Sequence, residues 1–140
     1  VVVASSSAYF MQAFSKIGMI PDSGGTYTLP RLVGWQKASA LMMTSDKVEA
    51  NDAERMGMIY KVFKEDIFEE ESRKIAMALS KMPTKGLAYI KHVLSKSFTS
   101  NWEEQLMLED KYQQKAASTA DFNEGISAFL EKRGPVFKGE

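Results

Sequence analysis

The stretch Gly-Met-Ile-Pro-Asp-Ser-Gly-Gly-Thr at residues 18–26 decides how this chain is interpreted. It places one carboxylate, that of Asp22, between an apolar run and a glycine pair at the predicted start of a helix. Pro21 fixes the direction of entry, and glycine at a helix start lets the backbone approach a ligand closely. From the spacing alone, a side-chain cap by Asp22 or Ser23 is the more common arrangement. A carboxylate that works on a substrate is the alternative.

The composition is that of an ordinary globular domain. Of the 140 residues, 44% are hydrophobic and 26% are charged, and 18 basic and 18 acidic residues give a net charge of zero. Because the basic residues are scattered among acidic ones, no surface for nucleic acid is predicted. The lack of cysteine excludes disulfides and thiolate metal sites, and it is compatible with the cytoplasmic location that we expect. No apolar run approaches the roughly 20 residues of a membrane-spanning helix, so no membrane association is predicted.

The first four residues, Val-Val-Val-Ala, are apolar and mostly β-branched, which is typical of the inside of a buried strand. Buried strands need partners on both sides, and the remaining sequence offers few. We therefore expect this sequence to be the C-terminal part of a longer polypeptide. A native protein with an intact mass near 15.7 kDa would contradict that expectation.

The order of predicted elements indicates the α/β class. Before residue 64 the pattern predicts strands at residues 1–4, 8–14 and 59–63, and helices at residues 26–33, 37–43 and 51–55, the last capped by Asn51. After residue 64 the apolar spacing is purely helical and predicts four helices. Asp121 or a neighbouring residue caps the last of these, and Gly134-Pro135 ends it. We accordingly divide the chain into residues 1–64 and 65–140.

Four segments resemble the crotonase superfamily, the enoyl-CoA hydratases and isomerases. They are QAFSKIGMIPDSGGT at residues 12–26, LPRLVG at 29–34, ANDAERMGMI at 50–59 and GISAFLEKR at 125–133. They follow the family order, and the resemblance covers essentially all 140 residues. It implies the C-terminal part of a β-β-α spiral with the catalytic loop, followed by a helical region for trimerisation and CoA contact. It also implies a homotrimer or hexamer.

The resemblance also assigns roles around the candidate carboxylate. In the family, the portion before residue 1 supplies the backbone N–H groups that hold the thioester oxyanion and the first of two hydratase glutamates. The second glutamate position falls on Phe14, which cannot move a proton. Asp22 falls where several family isomerases, and an aromatic dehalogenase branch, carry their working carboxylate. The phrase from Phe14 onward most resembles the phenylacetate-pathway branch that rearranges ring-epoxidised phenylacetyl-CoA.

The resemblance therefore implies an acyl-CoA isomerase with Asp22 as its acid/base. The predicted substrate contacts near Asp22 are Phe14, Met19, Ile20 and Gly25. The first three are expected to desolvate the carboxylate, an effect that the start of the helix would oppose. No metal or redox cofactor is implied, because the CoA thioester is the substrate. The alternatives are an enoyl-CoA hydratase, a dehalogenase-like enzyme with Asp22 as nucleophile, and a non-catalytic CoA-binding oligomeric subunit.

A second candidate pair lies near the end of the chain. Phe129 and Lys132 are three residues apart, which places both on one side of a continuous helix. Without the family, a core phenylalanine and a solvated lysine are the more common interpretation. The resemblance implies that both contact the CoA adenine and phosphates, commonly from a neighbouring subunit.

Overall fold

A computed structural model describes residues 1–140. These residues form two compact units, Val1–Arg73 and Lys74–Glu140. Helices dominate both units, and short strands occur only in the first. The predicted α/β class is therefore confirmed. The functional division proposed at residue 64 stays a prediction.

The N-terminal unit is built from short strands and helices in alternation. In chain order these are β1 (Val3–Ser5), β2 (Tyr9–Phe10), a 3₁₀ helix (Ala13–Ile17), α1 (Gly25–Val33), α2 (Trp35–Thr44), β3 (Val48–Glu49), α3 (Ala50–Arg55), β4 (Lys61–Phe63), a second 3₁₀ helix (Glu65–Ile67) and the start of α4 (Phe68–Ser80). β1 pairs in parallel with β4, and β2 pairs antiparallel with β3. The small side chains of Ala4, Ala50 and Ala53 pack with Val48 and Ile59 in a core that lets these elements approach closely.

Two sequence predictions in this unit are wrong in detail. The strand predicted at residues 8–14 stops at Phe10, because its partner β3 offers only two residues for pairing. The chain then forms the 3₁₀ helix, which contains Phe14. Helix α3 begins at Ala50 and not after an Asn51 cap. The Ala50 N–H donates to the carbonyl of Ala8 at 3.1 Å, so the residue before β2 is bonded to the start of α3 through the backbone.

The C-terminal unit is entirely helical, as predicted. It contains the end of α4, α5 (Thr84–Ser97), α6 (Trp102–Ala117) and α7 (Ala120–Glu131). Helix α6 begins with a capping box, in which the Asn101 side chain accepts the Glu104 N–H and the Glu104 carboxylate accepts the Asn101 N–H. His92, the single histidine, packs against Tyr112 in a tilted arrangement with the ring centroids 4.9 Å apart. No helix of the chain combines the length and the apolar character that crossing a membrane requires.

Helix α7 is capped by a neighbour of Asp121, as the prediction allowed, and it ends earlier than predicted. Its cap is Thr119, whose side chain accepts the Phe122 N–H, and not Asp121. It ends at Glu131, because Lys132 adopts a left-handed conformation with φ 55°. The predicted end at Gly134-Pro135 is therefore too late.

Candidate functional site

The loop that carries Asp22 starts from a hydrogen-bonded turn. The 3₁₀ helix Ala13–Ile17 ends at Gly18, whose φ of 73° lies in the left-handed region that glycine adopts without steric cost. The Met19 N–H then donates to the Phe14 carbonyl at 3.0 Å. These contacts fix the direction in which the chain enters the loop.

Backbone groups also fix the exit from the loop. Ser23 and Gly24 are both left-handed, with φ of 51° and 80°. The Gly25 N–H donates to the Asp22 carbonyl at 2.8 Å, and the Gly24 carbonyl accepts the Thr28 N–H at 2.9 Å. Helix α1 starts after Gly24 with no hydrogen bond from a capping side chain. The alternative in which Asp22 or Ser23 caps the helix is therefore wrong, because the backbone itself makes the turn.

The Asp22 side chain has no structural partner. It is exposed and makes no hydrogen bond or ion pair. Ile17, Met19 and Ile20 beside it are exposed at 73%, 58% and 78%. In this chain Asp22, Met19 and Ile20 are exposed and Phe14 is half-buried, so desolvation of the carboxylate by these residues stays a prediction. A carboxylate held in a hydrogen-bonded loop, without a structural partner and beside exposed apolar side chains, is available to a ligand.

A cavity of about 400 Å³ lies at the start of α1. Gly25 lines it together with Gln12, and a Cβ on Gly25 would lie 3.4 Å from the Pro21 Cβ and 4.0 Å from the Gln12 Oε1. Of the substrate contacts predicted in this loop, Gly25 is the one that lines this cavity. Asp22 does not line it.

Phe129 and Lys132 lie in the C-terminal unit, at the end of α7. The Phe129 ring is 83% exposed and lines a cavity of about 410 Å³ together with Phe122 and Phe137. Lys132 lies beyond the helix, so the argument that helical spacing places both residues on one face is wrong. The Arg133 N–H donates to the Ala128 carbonyl at 3.0 Å and closes the helix end.

Two carboxylates hold the residues after α7, a role that the sequence did not predict for either of them. The buried Asp121 accepts the N–H groups of Lys138 and Gly139 at 2.7 and 2.8 Å. Glu124 accepts the Val136 N–H at 2.8 Å and pairs with both terminal nitrogens of Arg133. Hydrogen bonds from Arg133 and then from Val136 lower the pKa of Glu124 to about 2.

No local signal in the sequence could have assigned these roles. The partners of Asp121 lie 17 and 18 residues further along the chain, and those of Glu124 lie 9 and 12 residues further. Sequence spacing within a helix reaches only three or four residues.

The fold and the candidate site are those of a crotonase-type chain in which one loop carboxylate has no structural partner. The family described as enoyl-CoA hydratase/isomerase matches residues 1–140. The chain is 41% identical over 140 residues to the 1,2-epoxyphenylacetyl-CoA isomerase of Escherichia coli K12, covering 100% of this chain and 53% of that protein. It is 34% identical over 139 residues to the 2,3-dehydroadipyl-CoA hydratase of the same organism, covering 99% of this chain and 54% of that protein.

A solved structure supports the same assignment. The enoyl-CoA hydratase/isomerase of Cupriavidus metallidurans CH34 matches with a TM-score of 0.93 at 35% identity, over 99% of this chain and 52% of that one. The chain therefore belongs to the enoyl-CoA hydratase/isomerase family. It spans about half the length of the curated relatives it matches, 53% for the isomerase named above.

Proposed function

We propose that this chain carries the acid/base carboxylate of an acyl-CoA isomerase, and that Asp22 is that carboxylate. The observation that carries the proposal is the state of the Asp22 side chain, which makes no hydrogen bond and no ion pair although backbone contacts hold the loop on both sides. A helix cap, the competing role, is taken by backbone groups. A carboxylate without a structural role is the kind of group that a proton-transfer site needs.

The chemistry needs one carboxylate and an oxyanion stabiliser. A carbon beside or conjugated with a thioester carbonyl becomes acidic when N–H donors stabilise the enolate oxygen. Asp22 would take a proton from one carbon and return it to another, so that the double bond moves and the carboxylate is regenerated. We expect the acyl group, and portions of the family fold that this chain does not span, to cover the exposed loop and exclude water.

Phe14 favours isomerisation over hydration. By resemblance it occupies the position of the second hydratase glutamate, and a benzyl side chain can neither activate nor orient water. Its ring is half-buried in the 3₁₀ helix that precedes the loop. In this proposal Phe14, Met19 and Ile20 form the apolar surroundings of the acyl group, and Gly25 allows close approach of the backbone.

The substrate class in this proposal is a CoA thioester. A relative named as an isomerase of 1,2-epoxyphenylacetyl-CoA supports a ring-epoxidised phenylacetyl group as the acyl part, and the family description supports an enoyl chain. The exposed Phe129 ring and the Lys132 ammonium supply a stacking surface and a positive charge for the adenine and phosphates. The CoA thioester is itself the substrate, so the proposed reaction calls for no separate cofactor.

The proposed assembly is a trimer or hexamer, as the resemblance implies. Helices α5 and α6 leave large apolar side chains on the surface, among them Leu94 (61%), Trp102 (71%) and Met107 (74%). Exposed apolar area of this kind marks interaction surfaces.

Enoyl-CoA hydration is the second candidate. It is favoured by the relative named as a 2,3-dehydroadipyl-CoA hydratase, which matches 99% of this chain. The two candidates differ in the fate of water, because hydration adds its elements to the double bond and isomerisation does not.

The test is Asp22→Asn in the intact native polypeptide that carries this sequence. We expect turnover of enoyl-CoA and ring-epoxidised aryl-CoA to fall about 10²–10⁴-fold, since the amide cannot accept the substrate proton. Exchange of the substrate's transferable protons with deuterated solvent should fall in parallel. Binding of the CoA ester should be retained.

The matched control is Asp66→Asn, which makes the same chemical change at an exposed aspartate in the same unit. It should leave turnover unchanged. Near-normal isomerisation by Asp22→Asn would refute the role of Asp22. A wild-type protein that hydrates enoyl-CoA without moving its double bond would support the hydratase instead.

A further inference from the structure

Ser45 has an unusual conformation for its residue type. It follows the last residue of α2, it is 1% exposed, and its φ of 54° lies in the left-handed region. This conformation is unfavourable for every residue with a Cβ, and glycine is the usual residue at such a helix end. The Ser45 N–H donates to the Leu41 carbonyl at 3.1 Å, a bond that glycine would make equally well. The helix end therefore does not explain the choice of serine.

The Ser45 hydroxyl makes two contacts with the segment before the Asp22 loop. It donates to the Gln12 carbonyl at 2.7 Å, and it lies 2.6 Å from the Ser15 hydroxyl oxygen. Because each hydroxyl has a single proton, Ser15 is the donor in the second bond. The two bonds attach the first turn of the 3₁₀ helix Ala13–Ile17 to the end of α2.

The residues held by these bonds lie near both ends of the loop. On the entry side, Phe14 lies between the two attached residues, and its carbonyl accepts the Met19 N–H at 3.0 Å. On the exit side, Gln12 and Gly25 line the same cavity. The Gly25 N–H in turn donates to the Asp22 carbonyl. Hydrogen bonds thus join Ser45 to the backbone that enters the Asp22 loop, and Gln12 lines the cavity at the exit of the loop.

We propose that Ser45 is a positioning residue. Through its hydrogen bonds to Gln12 and Ser15 it holds the Asp22 loop in the position that proton transfer with the substrate requires. The inference rests on the proposed function of Asp22. Its physical basis is that two hydrogen bonds of a buried hydroxyl, one donated and one accepted, offset an unfavourable backbone conformation. A helix end that had no further task would be more stable with glycine.

The experiment compares Ser45→Gly with Ser45→Ala in the intact native polypeptide. Glycine removes the hydroxyl and relieves the backbone, whereas alanine removes the hydroxyl and keeps the unfavourable conformation. We expect Ser45→Gly to stay folded and to lower kcat by tenfold to about 100-fold with little change in KM, since a misplaced acid/base costs rate more than binding. Ser45→Ala should show the same loss of kcat and a lower melting temperature. Thr44→Ala is the matched control, because the exposed Thr44 hydroxyl bonds only within α2 and to the Asp46 N–H.

Amide hydrogen exchange provides a readout that does not depend on activity. The Met19 and Gly25 amides should exchange faster in Ser45→Gly than in the wild type, while the amides of α2 keep their rates. Wild-type kcat in Ser45→Gly overturns the inference, whatever the exchange rates, and leaves the role of Asp22 intact if Asp22→Asn is inactive. If the wild type proves to have no isomerase activity, the proposed function fails. In that case the exchange rates alone test the positioning role. Unchanged exchange of the Met19 and Gly25 amides in Ser45→Gly would overturn the positioning role as well, and faster exchange would support it.

Discussion

Asp22 and Asp121 both lie near the start of a helix, but the Asp22 side chain has no hydrogen-bond partner and the Asp121 side chain has two. Asp22 precedes α1, is exposed, and makes no hydrogen bond with its side chain. Asp121 lies in the first turn of α7, is 3% exposed, and accepts two backbone N–H groups. Neither caps its helix, although sequence patterns allow both to do so. The difference shows that the role of a carboxylate near a helix start depends on whether a later segment of the chain donates hydrogen bonds to it.

The same contrast separates the two regions as a whole. The loop around Asp22 is shaped by backbone bonds and hydroxyl groups, which leaves its one charge free for a ligand. The residues after α7 are held by the carboxylates of Asp121 and Glu124, which accept hydrogen bonds from the backbone and are therefore not free for a ligand. Lys132 is one of the charges that remain available there, since its side chain makes no hydrogen bond or ion pair.

The largest effect that would test this contrast is on stability. We expect Asp121→Ala to lower the free energy of unfolding by about 1–3 kcal/mol, because it leaves two backbone donors near a buried position without an acceptor. Asp22→Ala should change it by less than about 0.5 kcal/mol, as is usual for exposed residues without partners. Urea titration of the two variants and the wild type measures both values. Equal losses for the two aspartates would break the comparison.

Lys132 gives the next largest effect, on ligand binding. Lys132→Glu should weaken binding of a CoA ester about tenfold at low salt, because it replaces an attractive charge beside the phosphates with a repulsive one. The loss should shrink as salt screens the charges. Titration calorimetry with a CoA ester, and with the corresponding pantetheine ester that lacks the nucleotide, measures the effect. A loss of equal size for both esters would contradict a phosphate contact.

Lys132→Gly is the matched variant for this position. It removes the charge and also relieves the left-handed backbone, so it should raise the free energy of unfolding by about 1 kcal/mol or less while it weakens CoA-ester binding. Opposite signs for stability and affinity would show that lysine is retained at this position for binding. A variant with unchanged affinity would place Lys132 outside the CoA contact.

The sequence allowed prediction of those elements that depend on neighbouring residues. Periodic apolar residues predicted the helices after residue 64. Gly57, with φ 80°, follows the end of α3, where glycine is the usual residue. The end of β2 at Phe10 could not be predicted correctly, because the length of this strand depends on a partner, β3, that is distant in sequence.

The sequence allowed prediction of only part of the candidate site. The family resemblance directed attention to Asp22, but its lack of partners became visible only in the structure. Ser45 carries no sequence signal for a left-handed conformation, since glycine and asparagine are the residues that favour it. Its hydroxyl contacts Gln12 and Ser15, which lie 33 and 30 residues earlier, beyond the reach of any local pattern.

The smallest expected effect concerns the pH dependence of the bonds made by Glu124. Its pKa of about 2 lies below the ordinary value of 4.5, first because of Arg133 and then because of Val136. The carboxylate therefore adds stability that is complete above the ordinary pKa and is lost as the pH falls toward 2. The melting temperatures of the wild type and Glu124→Gln should differ by a constant amount between pH 6 and pH 8, and the difference should vanish in the range from about 4.5 to about 2. Glu109→Gln, at an exposed position of α6, is the control that should show no such convergence. A difference that persists at pH 2 would mean that the shape of the Glu124 side chain, and not its charge, holds the residues after α7.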